Sequence, residues 1–272
     1  MQVGREPPAI SAAPRRISRA RLAAKGGSVG SVMWHKEIAE VYDETSAAMF
    51  EPAVLDPMVD VLAELAGDGA ALEFAIGTGR VGLPLAARGV RVHGIELSPD
   101  MVEQLRRKPT ADAVTVTIGD MTSTRVEGTF SLVYLVYNTI TNVTTQDEQV
   151  AVFANAAAHL RPGGCFVVEV VVPQLRRLPP GELARVFHLD PAHVAVETFD
   201  DLAGQVTWSH HWIDVGGRMV RHSAPYRYVW PSELDLMGRL TGFRLRDRWA
   251  DWRRTPFGSD STSQIAVFEL AS

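Results

Sequence analysis

The 272-residue chain has a single cysteine, Cys165, so no internal disulfide framework is open to it and a reducing cytoplasm is its expected home. No apolar run approaches the length of a membrane span, and no membrane partner is expected. Cations are not in excess: 27 Lys and Arg stand against 32 Asp and Glu, a formal net charge of −5. A surface built to follow phosphates needs the opposite balance, so no nucleic-acid partner is expected. His188 and His193 have no metal-like company, and with one cysteine no metal site is expected. There is no internal repeat, and no Tyr-x-x-x-Lys pair of the kind used in hydride transfer.

What remains is an ordinary globular composition, 46% hydrophobic and 22% charged, long enough for one large domain with a sizeable core. Residues 1–31 stand apart. Arg5, Arg15, Arg16, Arg19, Arg21 and Lys25 face only Glu6 there, with no apolar stretch of the secretory type. The expectation is a disordered tail, with an organelle transit peptide or an upstream start codon as alternatives, and a folded domain over 32–272.

Along the chain, 34–50 reads as a short helix and turn, and 52–66 as an amphipathic helix ending at Gly67. Strand and helix then alternate: strand 71–76, helix 79–88 stopped by Gly89, strand 90–96, and a helix from Ser98 (N-cap) and Pro99 to about Lys108. Strands 113–118 and 130–137 follow. Thr145 and Glu148 form a capping box for helix 146–160, which Arg161-Pro162-Gly163-Gly164 ends. Strand 165–172 is almost unbroken apolar, as a strand buried on both faces should be. Five such β/α units predict an open parallel sheet with helices on both sides, with ligands at the carboxyl ends of its strands. Gly77, Glu96, Asp120 and Tyr137 all fall at those ends. After Pro173 the reading changes to an antiparallel meander, 193–199, 205–214 and 218–230, before helix 232–241 and strands 243–250 and 263–270.

The most informative stretch is 71–82, Ala-Leu-Glu-Phe-Ala-Ile-Gly-Thr-Gly-Arg-Val-Gly. A short strand enters a Gly-x-Gly turn and opens a helix, and the next strand ends in an acid, Glu96. Together they make a nucleotide-type half-site: glycines admit close backbone approach, and the acid can grip a ribose diol. Gly77 to Gly82 also fits Gly-x-Gly-x-x-Gly, the dinucleotide pattern, which keeps an NAD(P)-dependent oxidoreductase open as an alternative. Against it stands Glu73, an acid inside the strand where a dinucleotide fold usually has an apolar residue.

The set Leu72-Glu73-x-x-x-Gly77-x-Gly79-Arg80, Gly94-Ile95-Glu96-Leu97-Ser98-Pro99-x-Met101, Gly119-Asp120-Met121 and Leu160-Arg161-Pro162-Gly163-Gly164 resembles the class I S-adenosylmethionine-dependent methyltransferases, small-molecule type. The resemblance covers roughly residues 35–172 well and the closing helix and strands more loosely. It implies an α/β fold: a doubly wound, mostly parallel, seven-stranded Rossmann-like sheet, here with an added antiparallel β segment over 175–230. One departure is Ala75, where many members carry a third glycine.

The resemblance further implies S-adenosylmethionine as cofactor, held by Tyr42, Glu73, Gly77, Thr78, Gly79, Glu96, Leu97, Met101, Asp120, Met121 and Tyr137. The Gly77–Gly79 backbone would approach the methionine moiety while Glu73 orders that turn and the amino group. Glu96 would accept from both ribose hydroxyls, since two adjacent O–H donors match two carboxylate oxygens. Leu97 and Met121 would flank the adenine and Asp120 take its amine. Tyr42 resembles a tyrosine that covers the cofactor in related enzymes; a surface helix tyrosine is its other reading.

Tyr137-Asn138-Thr139 lies where amino-group DNA methyltransferases carry Asp/Asn-Pro-Pro-aromatic, and this chain has no such motif. Tyr137 is read either as a π face or hydroxyl beside the reacting methyl or as core packing. His210 and His211 are adjacent on a strand, so at most one faces a pocket, as a general base or as a packing residue. Trp208, Trp212, Tyr226, Tyr228 and Trp230 make 205–230 the most aromatic stretch, read as a packing face, a substrate wall or a homodimer contact. The expected activity is methyl transfer to O or N of a small molecule by in-line displacement. A catalytically silent cofactor-binding protein is the second alternative.

Overall fold

Phe130–Leu135 is buried at every position, which a strand can manage only when both faces of its sheet are covered. In the computed structural model, which describes residues 36–175 and 178–271, this segment is β4 near the middle of a seven-stranded sheet. The tail 1–31 and the start of the 34–50 segment lie outside the described residues.

Short helices α1 (Lys36–Ala39) and α2 (Tyr42–Thr45) and a 3₁₀ turn, Ala47–Phe50, precede α3 (Pro52–Ala66). The alternation then runs β1 (Ala71–Phe74), α4 (Gly82–Ala87), β2 (Val92–Glu96), α5 (Pro99–Arg106), β3 (Val114–Ile118), β4 (Phe130–Leu135), α6 (Gln146–His159) and β5 (Leu160–Val171). A four-stranded antiparallel sheet follows: β6 (Ala184–Leu189), β7 (His193–Asp201), β8 (Val206–Val215) and β9 (Arg218–Arg227). Then α7 (Pro231–Leu240), β10 (Phe243–Trp249) and β11 (Ser263–Leu270) close the chain. The large sheet has the order β10-β11-β5-β4-β1-β2-β3, with β1 to β5 parallel and β10 and β11 antiparallel.

Strand alternation sends side chains to two cores. Leu72, Phe74, Val133, Leu135, Phe166 and Val168 pack with Val152 and Phe153 of α6 and Leu234 and Met237 of α7. Ala71, Leu132, Tyr134, Cys165 and Val167 pack on the other face with Leu55, Met58, Val59 and Leu62 of α3. Caps appear where the residue types place them: Ser98 Oγ accepts the Met101 N–H, and Thr145 and Glu148 form a reciprocal capping box.

Several boundaries differ from the sequence reading, each for a local reason. β1 stops at Phe74 because Ala75 turns into the left-handed region, φ +54. The following helix begins at Gly82 rather than 79, since Gly79 at φ +81 is not helical. β5 already pairs at Leu160 with Phe130; residues 161–163 bulge out exposed before pairing resumes at Cys165. The third meander strand ends at Arg227, short of 230, because the chain turns at Trp230 into a helix with Pro231 in its first turn. β6 was not read as a strand at all. Its side chains are exposed on both faces, so no alternation marks it.

Candidate active site

The glycine turn and three strand ends converge. The Gly77 N–H donates to Glu96 Oε2 at 2.8 Å, and the Ser98 N–H donates to Glu96 Oε1 at 2.8 Å. Glu96 is thus locked at the end of β2 with one bond on each oxygen, at 4% exposure. Burial raises its pKa against the pull of those backbone donors. At the end of β3, Asp120 Oδ1 accepts both the N–H and the hydroxyl of Thr122, at 2.8 and 2.7 Å, which fixes its carboxylate.

Glu73 lies one strand over on the core side. It is Tyr134's cross-strand partner in β4, and the Tyr134 hydroxyl donates to Glu73 Oε2 at 2.9 Å. Complete burial pushes the Glu73 carboxyl up to about 8, outweighing that hydrogen bond and the nearby Arg80. Gly82 is required by this packing: a Cβ there would stand 2.7 Å from Glu73 Oε2.

Asp43 of α2 clips the N-terminal segment to the turn. The Thr78 hydroxyl donates to Asp43 Oδ1 at 2.5 Å; Lys108 bridges Asp43 Oδ2 at 2.5 Å and the Thr78 carbonyl at 2.7 Å. This brings Tyr42 over the site. Burial, reinforced by Tyr137, pushes its hydroxyl up to about 12 despite Arg80.

After β4 the chain takes two consecutive left-handed residues, Tyr137 at φ +57 and Asn138 at φ +61. Non-glycine residues hold that conformation only when their surroundings fix it. Glu169 of β5 does so, Oε2 accepting the Tyr137 N–H at 2.7 Å and Oε1 the Trp252 indole N–H at 2.9 Å. Asn138 Oδ1 accepts the Val171 N–H at 2.6 Å. The Arg80 guanidinium lies 5.2 Å from the Tyr137 ring centroid, and its one described hydrogen bond is a long 3.5 Å contact to the Met49 carbonyl.

The rim so built encloses a cavity of about 390 Å³, within the range of small-molecule sites. Tyr42, Glu73, Gly77, Thr78, Glu96, Leu97, Met101, Asp120, Met121 and Tyr137 all border it. Gly79 lies outside the lining; its missing Cβ makes room for Leu83 and Leu105 instead. The second sheet supplies the roof through Phe187, Ser209, His211 and Tyr226. His210 points the other way, bonded to Ser223 Oγ at 2.9 Å between Trp208 and Trp212. Among the described residues, no group of His, Cys, Asp and Glu is placed to hold a metal ion, and no helix is long and apolar enough to cross a membrane.

Sequence reasoning missed Arg80, Phe187, Ser209 and the brace Glu169, while Tyr226, read among the aromatics of a candidate substrate wall, does line the cavity. The signal for Glu169 was present: an acid within the apolar run Cys165–Val171, the same anomaly that singled out Glu73. Phe187 had no signal, since its strand was invisible.

By fold this is a doubly wound α/β protein with its cavity at the carboxyl rim of the sheet. Residues 71–164 match the family described as "Methyltransferase domain". The chain is 33% identical to the CcbJ methyltransferase from Streptomyces caelestis, with 86% of this chain and 96% of that one covered and a TM-score of 0.77. The cypemycin N-terminal methyltransferase from a Streptomyces species is 24% identical over 238 residues, 84% of this chain and 97% of the relative. The fold is also shared with SAM-bound CalS10, an amino pentose methyltransferase from Micromonospora echinaspora, at 21% identity and a TM-score of 0.63 over 84% of this chain and 96% of that one. The chain belongs to the S-adenosylmethionine-dependent methyltransferases. It is an enzyme whose cofactor is S-adenosylmethionine, and neither the oxidoreductase nor the silent-binder alternative is favoured.

Proposed function

We propose that this enzyme, in the cytoplasm, methylates the nitrogen of a small-molecule amine seated beneath the 175–230 segment. The observation that carries the reading is the single cavity that joins a cofactor-type rim to an aromatic roof of Phe187 and Tyr226. The residues present fit the cofactor. Glu96 keeps acceptor capacity on both oxygens for the ribose hydroxyls, and Asp120 Oδ2 is left for the adenine amine between Leu97 and Met121. The Gly77 backbone, Thr78 and Glu73 would hold the amino-acid end. Arg80, a buried cation that among the described residues touches no carboxylate at hydrogen-bond distance, suits its carboxylate. Met101 backs the turn, and Tyr42 closes over it.

When bound, S-adenosylmethionine supplies an electrophilic methyl carbon on a sulfonium. The chain's own work is to align the acceptor and exclude water. An alcohol acceptor would benefit from a general base, and burial, with His193 the next cause, weakens the roof's His211 imidazole in that role by lowering it to about 4. A nitrogen acceptor needs only to shed an ammonium proton. The relatives' names agree, since cypemycin N-terminal and amino pentose methyltransferases act on amines. Tyr137, half exposed beside Arg80, is placed to orient the acceptor rather than to act as a base.

Two measurements test this. Calorimetry on Glu96→Ala should show S-adenosylmethionine binding weakened by about tenfold or more with the fold intact; unchanged affinity overturns the ribose assignment. Incubation with the cofactor and a panel of primary and secondary amines, amino sugars and free peptide N-termini among them, should yield products heavier by CH2. Transfer confined to hydroxyl compounds overturns the amine reading.

A further inference from the structure

Resting on the amine reading above, the structure carries a further assignment. We propose that Ser209, His211 and His193 form a proton relay that carries the proton shed by the acceptor from the cavity to water beside the exposed His188–Asp190 pair. Ser209 and His211 line the cavity from β8. Ser209 Oγ stands 2.9 Å from His211 Nε2, and His211 Nδ1 stands 2.9 Å from His193 Nε2 on β7. The His193 ring lies against His188 of β6, centroids 4.4 Å apart, and His188 Nε2 pairs with Asp190 Oδ2 at 2.6 Å. Both of those side chains are 45% exposed. Asp190 Oδ1 also accepts the His193 backbone N–H at 2.8 Å, holding that end of the path in place.

Two opposite proton arrangements satisfy these contacts, and the relay starts from the one that leaves Ser209 able to accept. The Ser209 hydroxyl donates to His211 Nε2, His211 Nδ1–H donates to His193 Nε2, and His193 carries its proton on Nδ1. The Ser209 oxygen then has a lone pair facing the cavity. An aliphatic amine reaches the enzyme as R–NH3+, with its lone pair blocked. It gives one proton to Ser209 Oγ as the Ser209 proton moves to His211 Nε2, the His211 Nδ1 proton moves to His193 Nε2, and the His193 Nδ1 proton leaves to water. The freed lone pair forms the N–C bond, the S–C bond breaks with its electron pair on sulfur, and the product leaves as R–NH2+–CH3. Charge and protons balance, with one H+ released per methyl.

Transit requires neutral rings, and the surroundings keep them so. His211 is faced by His193 from β7, His188 from β6 and His222 from β9, with His210 acting on it through the sheet, the Phe187 ring edge-on at 5.7 Å and, among the described residues, no carboxylate in contact. Burial also lowers His193, with His188 adding to it and Asp190 opposing. His193 does not line the cavity and acts through His211, so it is a positioning residue.

The test uses the full chain with bound S-adenosylmethionine, and His193→Phe and His193→Gln; the glutamine keeps a polar group against His211 but cannot pass a proton on. Ring-nitrogen NMR of labelled histidines near neutral pH should show a neutral His211 and a proton shared between its Nδ1 and His193 Nε2, lost in both variants. Single-turnover transfer to the amines found by the panel should slow by about 10- to 100-fold in both variants near neutral pH. The deficit should vanish above the acceptor's own pKa, where the amine arrives neutral, and cofactor affinity should stay unchanged. A doubly protonated His211 near neutral pH, or pH–rate profiles parallel to the parent enzyme's, overturns the relay alone. A chain that binds the cofactor and methylates no amine overturns the function it rests on.

Discussion

Glu73 is an acid in the middle of β1, with Leu72 and Phe74 both fully buried beside it. Its carboxyl ordinarily ionises at 4.5, but in the folded chain it holds its proton up to about 8. Between those values the folded state binds more protons than the unfolded one, so stability falls as pH rises through that window and levels off above it. Below about pH 6.5 the lowered imidazoles of His211 and His193 oppose this slope, so the Tm of the cofactor-free enzyme should decline from about pH 6.5 to about pH 8. Glu73→Gln should flatten most of that slope, Glu96 contributing the remainder in the same direction. A scan of Tm against pH in both proteins checks it. Above about pH 8, where the parent's Glu73 carboxyl is ionised, the same substitution should also weaken cofactor binding by about tenfold.

At the scale of elements, the clasp between α2 and the glycine turn holds Tyr42 over the cavity through Asp43, Thr78 and Lys108. Asp43→Ala should speed hydrogen exchange across residues 42–50 and raise the cofactor dissociation rate by about tenfold, leaving β1 and β2 as protected as before. Stopped-flow release and exchange mass spectrometry read both. How far such elements were legible in the sequence depends on what marks them. The parallel half was written in alternation, caps and acids at strand ends, and α3 and β11 fall on the very residues expected. The antiparallel half was written poorly. Leu183, Val186 and Leu189 are apolar yet exposed, so β6 carries no inward-facing period to read. The brace from Glu169 to Tyr137 spans 32 residues and two strands, and a carboxylate's partner across a sheet is not a local property of sequence. Among the site residues, the glycine turn and the acids of β1 to β3 were legible because local spacing fixes them. Phe187 and Ser209 were not, because their place depends on how the second sheet lies over the first.

For the molecule as a whole, the two sheets are joined at a buried polar seam. Arg227 at the end of β9 donates to Glu233 Oε1 of α7 at 2.6 Å and to Gln149 Oε1 of α6 at 2.5 Å, with side-chain exposures of 4% for Arg227 and 11% for Glu233. Burial alone would raise the Glu233 pKa, but donors from Arg227, Gln205 and Gln146 hold it below its usual range. Arg227→Met leaves that carboxylate buried with its charge uncompensated, a loss of about 3–5 kcal/mol. On that basis the Tm should drop by about 5–10 °C. Adding Glu233→Leu should recover part of the loss, since the stranded charge is then gone too; calorimetric scans of the single and double variants decide it.

The roof residues Phe187, Ser209, His211 and Tyr226 come from one uninterrupted stretch, β6 to β9, whereas the opposite wall is spelled out before residue 143. On the reading proposed above, what the enzyme grips and what it modifies are therefore encoded in separate paragraphs of the chain. Lineages can rewrite the second without disturbing the first. An engineer can do the same, exchanging 184–227 as a cassette while keeping Arg227, Gln149 and Glu233 as the fixed hinge pins of the graft.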